Sequence, residues 1–195
     1  MKSGKICRIG ILFLFTLVFL CCGQKSRISI EESIYNEIKE VDYNLLDVSS
    51  ITVNSGTKRI VRTIYVDSVQ YRVCLENDGL KNTRPINERL GNDRLEIIET
   101  SDKGFTTYEG YSLDSKVKKI LTDKNERLWV EPAVYYFIPL DYGWRAVIKD
   151  DSHVYSLEDK RSKMYISAFC KIDEKLSRAE PADDWIKRTG PGWIY

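Results

Sequence analysis

Apolar positions along the chain change their period once. Between Ser29 and about Leu46 they recur at helical spacing: Ile30, Ile34, Ile38, Val41 and Leu45 form a single stripe. Ser29 and Glu32 open that stripe in the Ser-x-x-Glu form of a capping box, so the spacing predicts an amphipathic helix starting at Ser29. From about residue 50 the period falls to two. Ile60, Arg62, Ile64 and Val66 alternate with Val61 and Thr63, and Val69, Tyr71, Val73 and Leu75 follow after Asp67-Ser68. β-branched and aromatic residues fill these runs. Turn formers separate them, among them Asn54-Ser55-Gly56, Asn77-Asp78-Gly79, Asp102-Lys103-Gly104, Asp123-Lys124-Asn125 and Asp141-Tyr142-Gly143. The pattern predicts a mainly β body, a small barrel or sandwich with one N-terminal amphipathic helix. No alternation of strands with helices argues for a nucleotide-binding parallel sheet.

The first 22 residues follow neither period. Lys2, Lys5 and Arg8 make a positive start without an acidic residue, Ile9 to Leu20 is apolar on every side, and Cys21-Cys22-Gly23-Gln24 ends the run. A charged start and a short apolar stretch are the layout of a secretory signal. As a helix, Ile9 to Cys22 would reach about 21 Å, short of the roughly 30 Å hydrocarbon core of a bilayer. A core helix would need a polar face, and this one has none.

An ordinary export signal ends in an A-x-A-like cleavage site, which is missing; the apolar run stops directly at cysteine. This junction resembles the lipobox of bacterial lipoproteins, in which a small residue precedes the cysteine that becomes lipid-modified and N-terminal. Cys21 fills the small slot if Cys22 is the anchor; Leu20 would fill it if Cys21 were. The resemblance implies a signal peptide over residues 1–21, a lipid anchor on Cys22 (alternatively Cys21), a polar tether over 22–28 and a globular domain over 29–195. It implies a partner as well, the membrane reached through covalent lipid, and a place in the bacterial cell envelope, periplasmic or surface-exposed. A plain signal cut elsewhere is the alternative.

Composition narrows the functions. The chain has 195 residues, with 30 basic and 29 acidic, and loss of Lys2, Lys5 and Arg8 with the signal leaves a slight acidic excess. That balance offers nucleic acid no basic stripe. With 43% hydrophobic residues and twelve tyrosines the body can bury a core. It also keeps Cys74 and Cys170, each in a strand-like run, and an exported compartment preserves disulfides. A bridge between them is one expectation, two buried free thiols the other.

Catalytic sets are missing. His153 is the only histidine; its neighbour Ser152 would point to the opposite face of a strand, and Asp151 with His153 makes at most two metal ligands. Glu31-Glu32, Asp150-Asp151 and Asp183-Asp184 are adjacent acids, and adjacency in sequence does not place carboxylates across a cleft. Glu76-Asn77-Asp78-Gly79 lacks the alternation of a calcium loop. No catalytic residue, metal site or cofactor is therefore expected. Ala133 to Leu140, followed by Tyr142 and Trp144, is apolar on both faces of any strand, as a central covered strand would be. An exposed aromatic shelf would read the same way, which makes Tyr135, Phe137, Tyr142 and Trp144 candidate binding residues.

The last eleven residues read as a strand bearing Trp185, then a Gly190-Pro191-Gly192 turn, then a second strand with Trp193-Ile194-Tyr195. This ending resembles that of bacterial SH3-like domains, small barrels of exported wall-associated proteins. Asp78-Gly79-Leu80 with Arg84 and Ser115-Lys116-Val117 resemble the opening and middle of the same family, though farther apart than in a typical copy. The resemblance implies a non-catalytic binding module for protein or cell-wall material such as peptidoglycan. The alternatives are an envelope hydrolase with carboxylates not identifiable from sequence, and a small-ligand carrier.

Overall fold

The structure, a computed structural model, describes residues 29–54, 57–76, 94–132, 134–150 and 164–189. The chain groups into two compact units, residues 1–33 and 34–195, and the sheet belongs wholly to the second. Among the described residues nine strands form one antiparallel sheet. They are β1 (Val48–Asn54), β2 (Thr57–Val66), β3 (Val69–Leu75), β4 (Leu95–Thr100), β5 (Trp129–Glu131), β6 (Tyr135–Pro139), β7 (Trp144–Asp150), β8 (Met164–Ile172) and β9 (Glu180–Pro181). Their lateral order is β1-β2-β3-β4-β8-β7-β6-β5-β9. The mainly β expectation stands. The ladders nevertheless draw an open sheet with β1 and β9 at its ends, where a closed barrel or a two-layer sandwich was expected. The cause is the return of β8 between β4 and β7, which merges the β1–β4 and β5–β8 meanders edge to edge.

Among the described residues there are three α-helices: α1 (Ile30–Glu40), α2 (Val117–Lys124) and α3 (Ala182–Thr189). The Ser29 hydroxyl accepts the Glu32 N–H at 3.1 Å and satisfies a donor that the first turn of α1 leaves orphaned. Ile34 and Ile38 are fully buried. The helix is shorter than the 29–46 stripe suggests. The Asp42 carboxylate accepts the Asn44 N–H and starts a separate 3-10 turn over Tyr43–Leu45, local competition typical of Asp and Asn. Leu45 leaves the stripe as a result and is 81% exposed.

Two helices replace expected turns or strands. Asp123 and Lys124 belong to α2, which Asn125 ends in a left-handed conformation (φ 50°), its N–H shared between the Leu121 and Thr122 carbonyls. Val117, part of the Ser115-Lys116-Val117 resemblance to the middle of the SH3-like family, opens that helix. Trp185, the expected tryptophan-bearing strand of the same pattern, lies on α3. Asp183 and Asp184 occupy the first turn of α3 and Lys187 and Arg188 its last, the charge order a helix dipole favours. Residues 190–195 lie outside the described residues, as do Asp78, Gly79, Leu80 and Arg84.

The middle strands of the sheet are buried on both faces, and the register assigns the rows. Ile64, Tyr71, Thr100, Phe169, Ala146 and Ile138 are successive cross-strand partners or one-residue extensions of the ladders, and all are buried. Phe105 docks on this face, with its ring 6.1 Å from Tyr71, 5.0 Å from Trp144 and 5.2 Å from Phe169. On the other face Val61, Cys74, Ile97 and Ile172 form an apolar row within one core cluster. The neighbouring row on that face is polar: Arg72, Glu99, Cys170 and Arg145. Fully burying one aliphatic side chain stabilises by about 1.5–3 kcal/mol, so the apolar rows hold the sheet, while the charges of the polar row are paired, Arg72 with Glu99 and Arg145 with Glu131.

Cys74 and Cys170 are buried free thiols, which removes the candidate disulfide. Strand β4 lies between β3 and β8, so two strand spacings of about 4.8 Å each separate the cysteines laterally. A disulfide tolerates a Cα separation of about 7 Å at most. Burial pushes the Cys170 thiol up to about 12, which leaves almost no thiolate at neutral pH. We expect neither thiol to react with a maleimide reagent in the folded protein and both to react in denaturant. Rapid native labelling at either position would contradict the burial.

Candidate functional site

Four aromatic positions of the 135–144 region were candidates for binding, and the structure separates them. Phe137 and Trp144 are core residues, on opposite faces of adjacent strands. Tyr135 is half-buried, its hydroxyl 3.8 Å from the Cys170 sulfur, and burial raises its phenol well above the usual value. Tyr142 is the exposed one, at 69%. It sits at the tip of the β6–β7 hairpin beside a residue the sequence reading did not single out, Tyr108, which is 42% exposed. The two ring centroids are 4.9 Å apart with planes inclined at 56°.

The hairpin tip explains how Tyr142 is held out. Pro139 ends β6, Leu140 donates its N–H to the Trp144 carbonyl at 2.8 Å, and Trp144 donates back to Asp141. Tyr142 (φ 58°, ψ 23°) and Gly143 (φ 78°) both adopt positive φ, the signature of a type I′ turn. The β2–β3 turn has the same form at Asp67 (φ 49°) and Ser68 (φ 67°). Asn, Asp and Gly tolerate the first central position of such a turn; a bulky side chain there costs about 1–2 kcal/mol. Gly143 relieves the second position. At Tyr142 the strain is retained, and it presents an aromatic ring to solvent.

A polar frame ties this tip to the loop carrying Tyr108. Thr107 and Gly110 close a tight turn, Gly110 N–H to the Thr107 carbonyl at 3.0 Å, with Gly110 at φ 85°. The Glu109 carboxylate accepts the Asp141 backbone N–H at 2.7 Å. Lys124, from the last turn of α2, places its ammonium 2.5 Å from Asp141 Oδ1 and 3.7 Å from Glu109 Oε1. The hydrogen bond it donates to the Asp141 carboxylate, then the charges of the nearby acids, raise the Lys124 ammonium above its ordinary value, so it is charged throughout the neutral range. Two aromatic faces rimmed by two carboxylates and an ammonium can cover an apolar patch of a ligand and hydrogen-bond its hydroxyl or amide groups. Tyrosine suits that role because it supplies area and a polar tip with few rotatable bonds.

A second polar cluster is built differently. Glu131 is 0% exposed. It accepts from Arg145 Nη1 at 3.1 Å, from the Ser177 hydroxyl at 2.7 Å and from the Arg178 backbone N–H at 2.7 Å. Arg145 also donates from Nη2 to Ser177 Oγ at 2.8 Å, and its guanidinium lies 4.5 Å from the Phe137 ring centre. Each charge is spent on the other and on the 177–179 segment, so the cluster fastens that segment to β5 and β7. It has no free acid or base to offer a substrate. Sequence reasoning missed it, although Glu131 is the one acid in the apolar run from Leu128 to Leu140, a pattern that marks a paired interior charge.

The remaining candidates are dispersed. Glu31 and Glu32 occupy the first turn of α1, as Asp183 and Asp184 do that of α3, where acids complement helix dipoles. Among the described residues no three His, Cys, Asp or Glu side chains converge to hold a metal, and no helix is long and apolar enough to cross a membrane. The Cys21–Cys22 junction, Asp151 and His153 lie outside the described residues. An open antiparallel sheet bearing an exposed tyrosine pair, one member held at a strained turn position, is the class of protein these features define. No family model, curated protein or solved structure matches the chain.

Proposed function

We propose that this chain is an envelope lipoprotein, anchored through Cys22, whose body is a non-catalytic module for binding cell-wall polymer. The single observation carrying the binding role is the Tyr108–Tyr142 pair, which keeps an aromatic ring in solvent at a backbone conformation that disfavours it. Strain of this kind is held where function rather than packing sets the residue. The acid–ammonium rim formed by Glu109, Asp141 and Lys124 complements the hydroxyls and amides of peptidoglycan. The sequence of the first 22 residues supports the anchor and the location.

Co-sedimentation with purified peptidoglycan, run beside a pull-down of envelope proteins, tests the reading. Wild-type protein is expected in the peptidoglycan pellet. The Tyr108→Ala, Tyr142→Asn double variant is expected to bind about tenfold or more weakly, equivalent to ~1.4 kcal/mol. Its fold should survive, because Asn suits the turn and offsets the lost ring contact. Equal binding by the double variant would remove these tyrosines as the site. No retention of the wild type on peptidoglycan would remove the function.

A further inference from the structure

We infer that β1 is a self-pairing edge, through which two copies of this chain join antiparallel into one continuous sheet. The inference is independent of the wall-binding reading. Its first support is the phase of the β1–β2 ladder. Thr63 donates its N–H to the Asp47 carbonyl at 3.0 Å, and Val48 lies opposite Arg62. Asp47, Ser49 and Ile51 therefore aim their backbone groups at β2, and Val48, Ser50 and Thr52 aim theirs outward. Among the described residues no hydrogen bond reaches that outer side.

Natural sheets protect such edges with short strands, proline, charge or a covering element. The opposite edge of this sheet is protected in that way: β9 is two residues long, contains Pro181, carries Glu180 paired to Arg188, and leads straight into α3. Among the described residues β1 has no charge, no proline and no covering element; its single irregularity is a bulge between Thr52 and Asn54, at its far end. The strand is seven residues long, Val-Ser-Ser-Ile-Thr-Val-Asn. Apolar exposure collects around it, with Val48 46% exposed, Leu45 81% and Tyr65, near the end of the neighbouring β2, 59%.

A second copy is the occupant that the edge itself fits. A two-fold axis at Ser50 sets the two Ser50 residues opposite each other and Val48 opposite the partner copy's Thr52, a pair of β-branched residues that pack well across strands. All outward groups of Val48, Ser50 and Thr52 then find partners at once. An uncharged strand meets itself without like-charge repulsion, and a two-fold interface needs one self-complementary patch only.

The test uses the full chain purified in detergent, with particle mass by light scattering and amide exchange residue by residue. We expect two chains per particle, with slow exchange at Ser50 and Thr52. Ser50→Pro removes an outward donor and no β1–β2 bond, since edge strands tolerate proline on the open side. Thr52→Lys introduces the missing charge. Each should weaken self-association about tenfold or more, with the Ser49 and Ile51 amides still slow, showing that β1 remains on β2. A single chain per particle in the wild type overturns the inference; if Ser50 and Thr52 exchange slowly there, another segment of the same chain covers the edge. A dimer undiminished in both variants overturns it equally.

Discussion

Replacement of Glu131 by alanine is expected to lower the unfolding free energy by about 3–5 kcal/mol, the range for removing one partner of a buried ion pair. The carboxylate is fully buried and receives Arg145, Ser177 and the Arg178 N–H, so the alanine variant leaves three donors without an acceptor. The Arg145 side chain is only 12% exposed and cannot recover its hydration without moving. Domains of this size are stable by about 5–15 kcal/mol in all, and the loss is a large share of that. Glu131→Gln keeps acceptor geometry and should fall between the two. Exchanging both partners, Glu131→Leu with Arg145→Met, should restore much of the loss, because apolar pairs of similar volume often replace buried ion pairs without penalty. Urea unfolding with its slope checked for constancy measures all four proteins. A loss below about 1 kcal/mol for Glu131→Ala would mean the pair is not buried in solution.

The second large effect concerns the anchor. Cys22→Ala is expected to abolish incorporation of labelled palmitate and to move the chain out of the membrane fraction, whereas Cys21→Ala should keep both. The physical reason is additive: each buried methylene contributes about 0.8 kcal/mol, and more than one acyl chain is needed for stable attachment. Label lost from Cys21→Ala and kept in Cys22→Ala would transfer the anchor to Cys21. A wild-type chain without label would end the lipoprotein reading.

Much of the local structure could be read along the chain because it is decided within a few residues. The Ser29–Glu32 spacing marks the start of α1 since an N-cap hydroxyl reaches only the next turn. Strand alternation from Ile60 to Leu75 and the Asp67-Ser68 turn are visible for the same reason. The acids and bases at the two ends of α3 were legible too, but the resemblance of Trp185 to a strand residue masked them.

The amino-acid sequence by itself determined that the body is mainly β and placed the Asp67-Ser68 and Asp141-Tyr142-Gly143 turns, while it left the Ala133–Leu140 run open between a covered strand and an exposed shelf. Only the tertiary structure decided that β8 enters between β4 and β7, that the sheet stays open, that Cys74 and Cys170 are kept apart, and that Tyr108 meets Tyr142. Periodicity records which face of its own strand a side chain takes. It carries no information about which strand lies alongside, because β-rich segments of similar pattern can pair interchangeably until packing over the whole sheet selects one order.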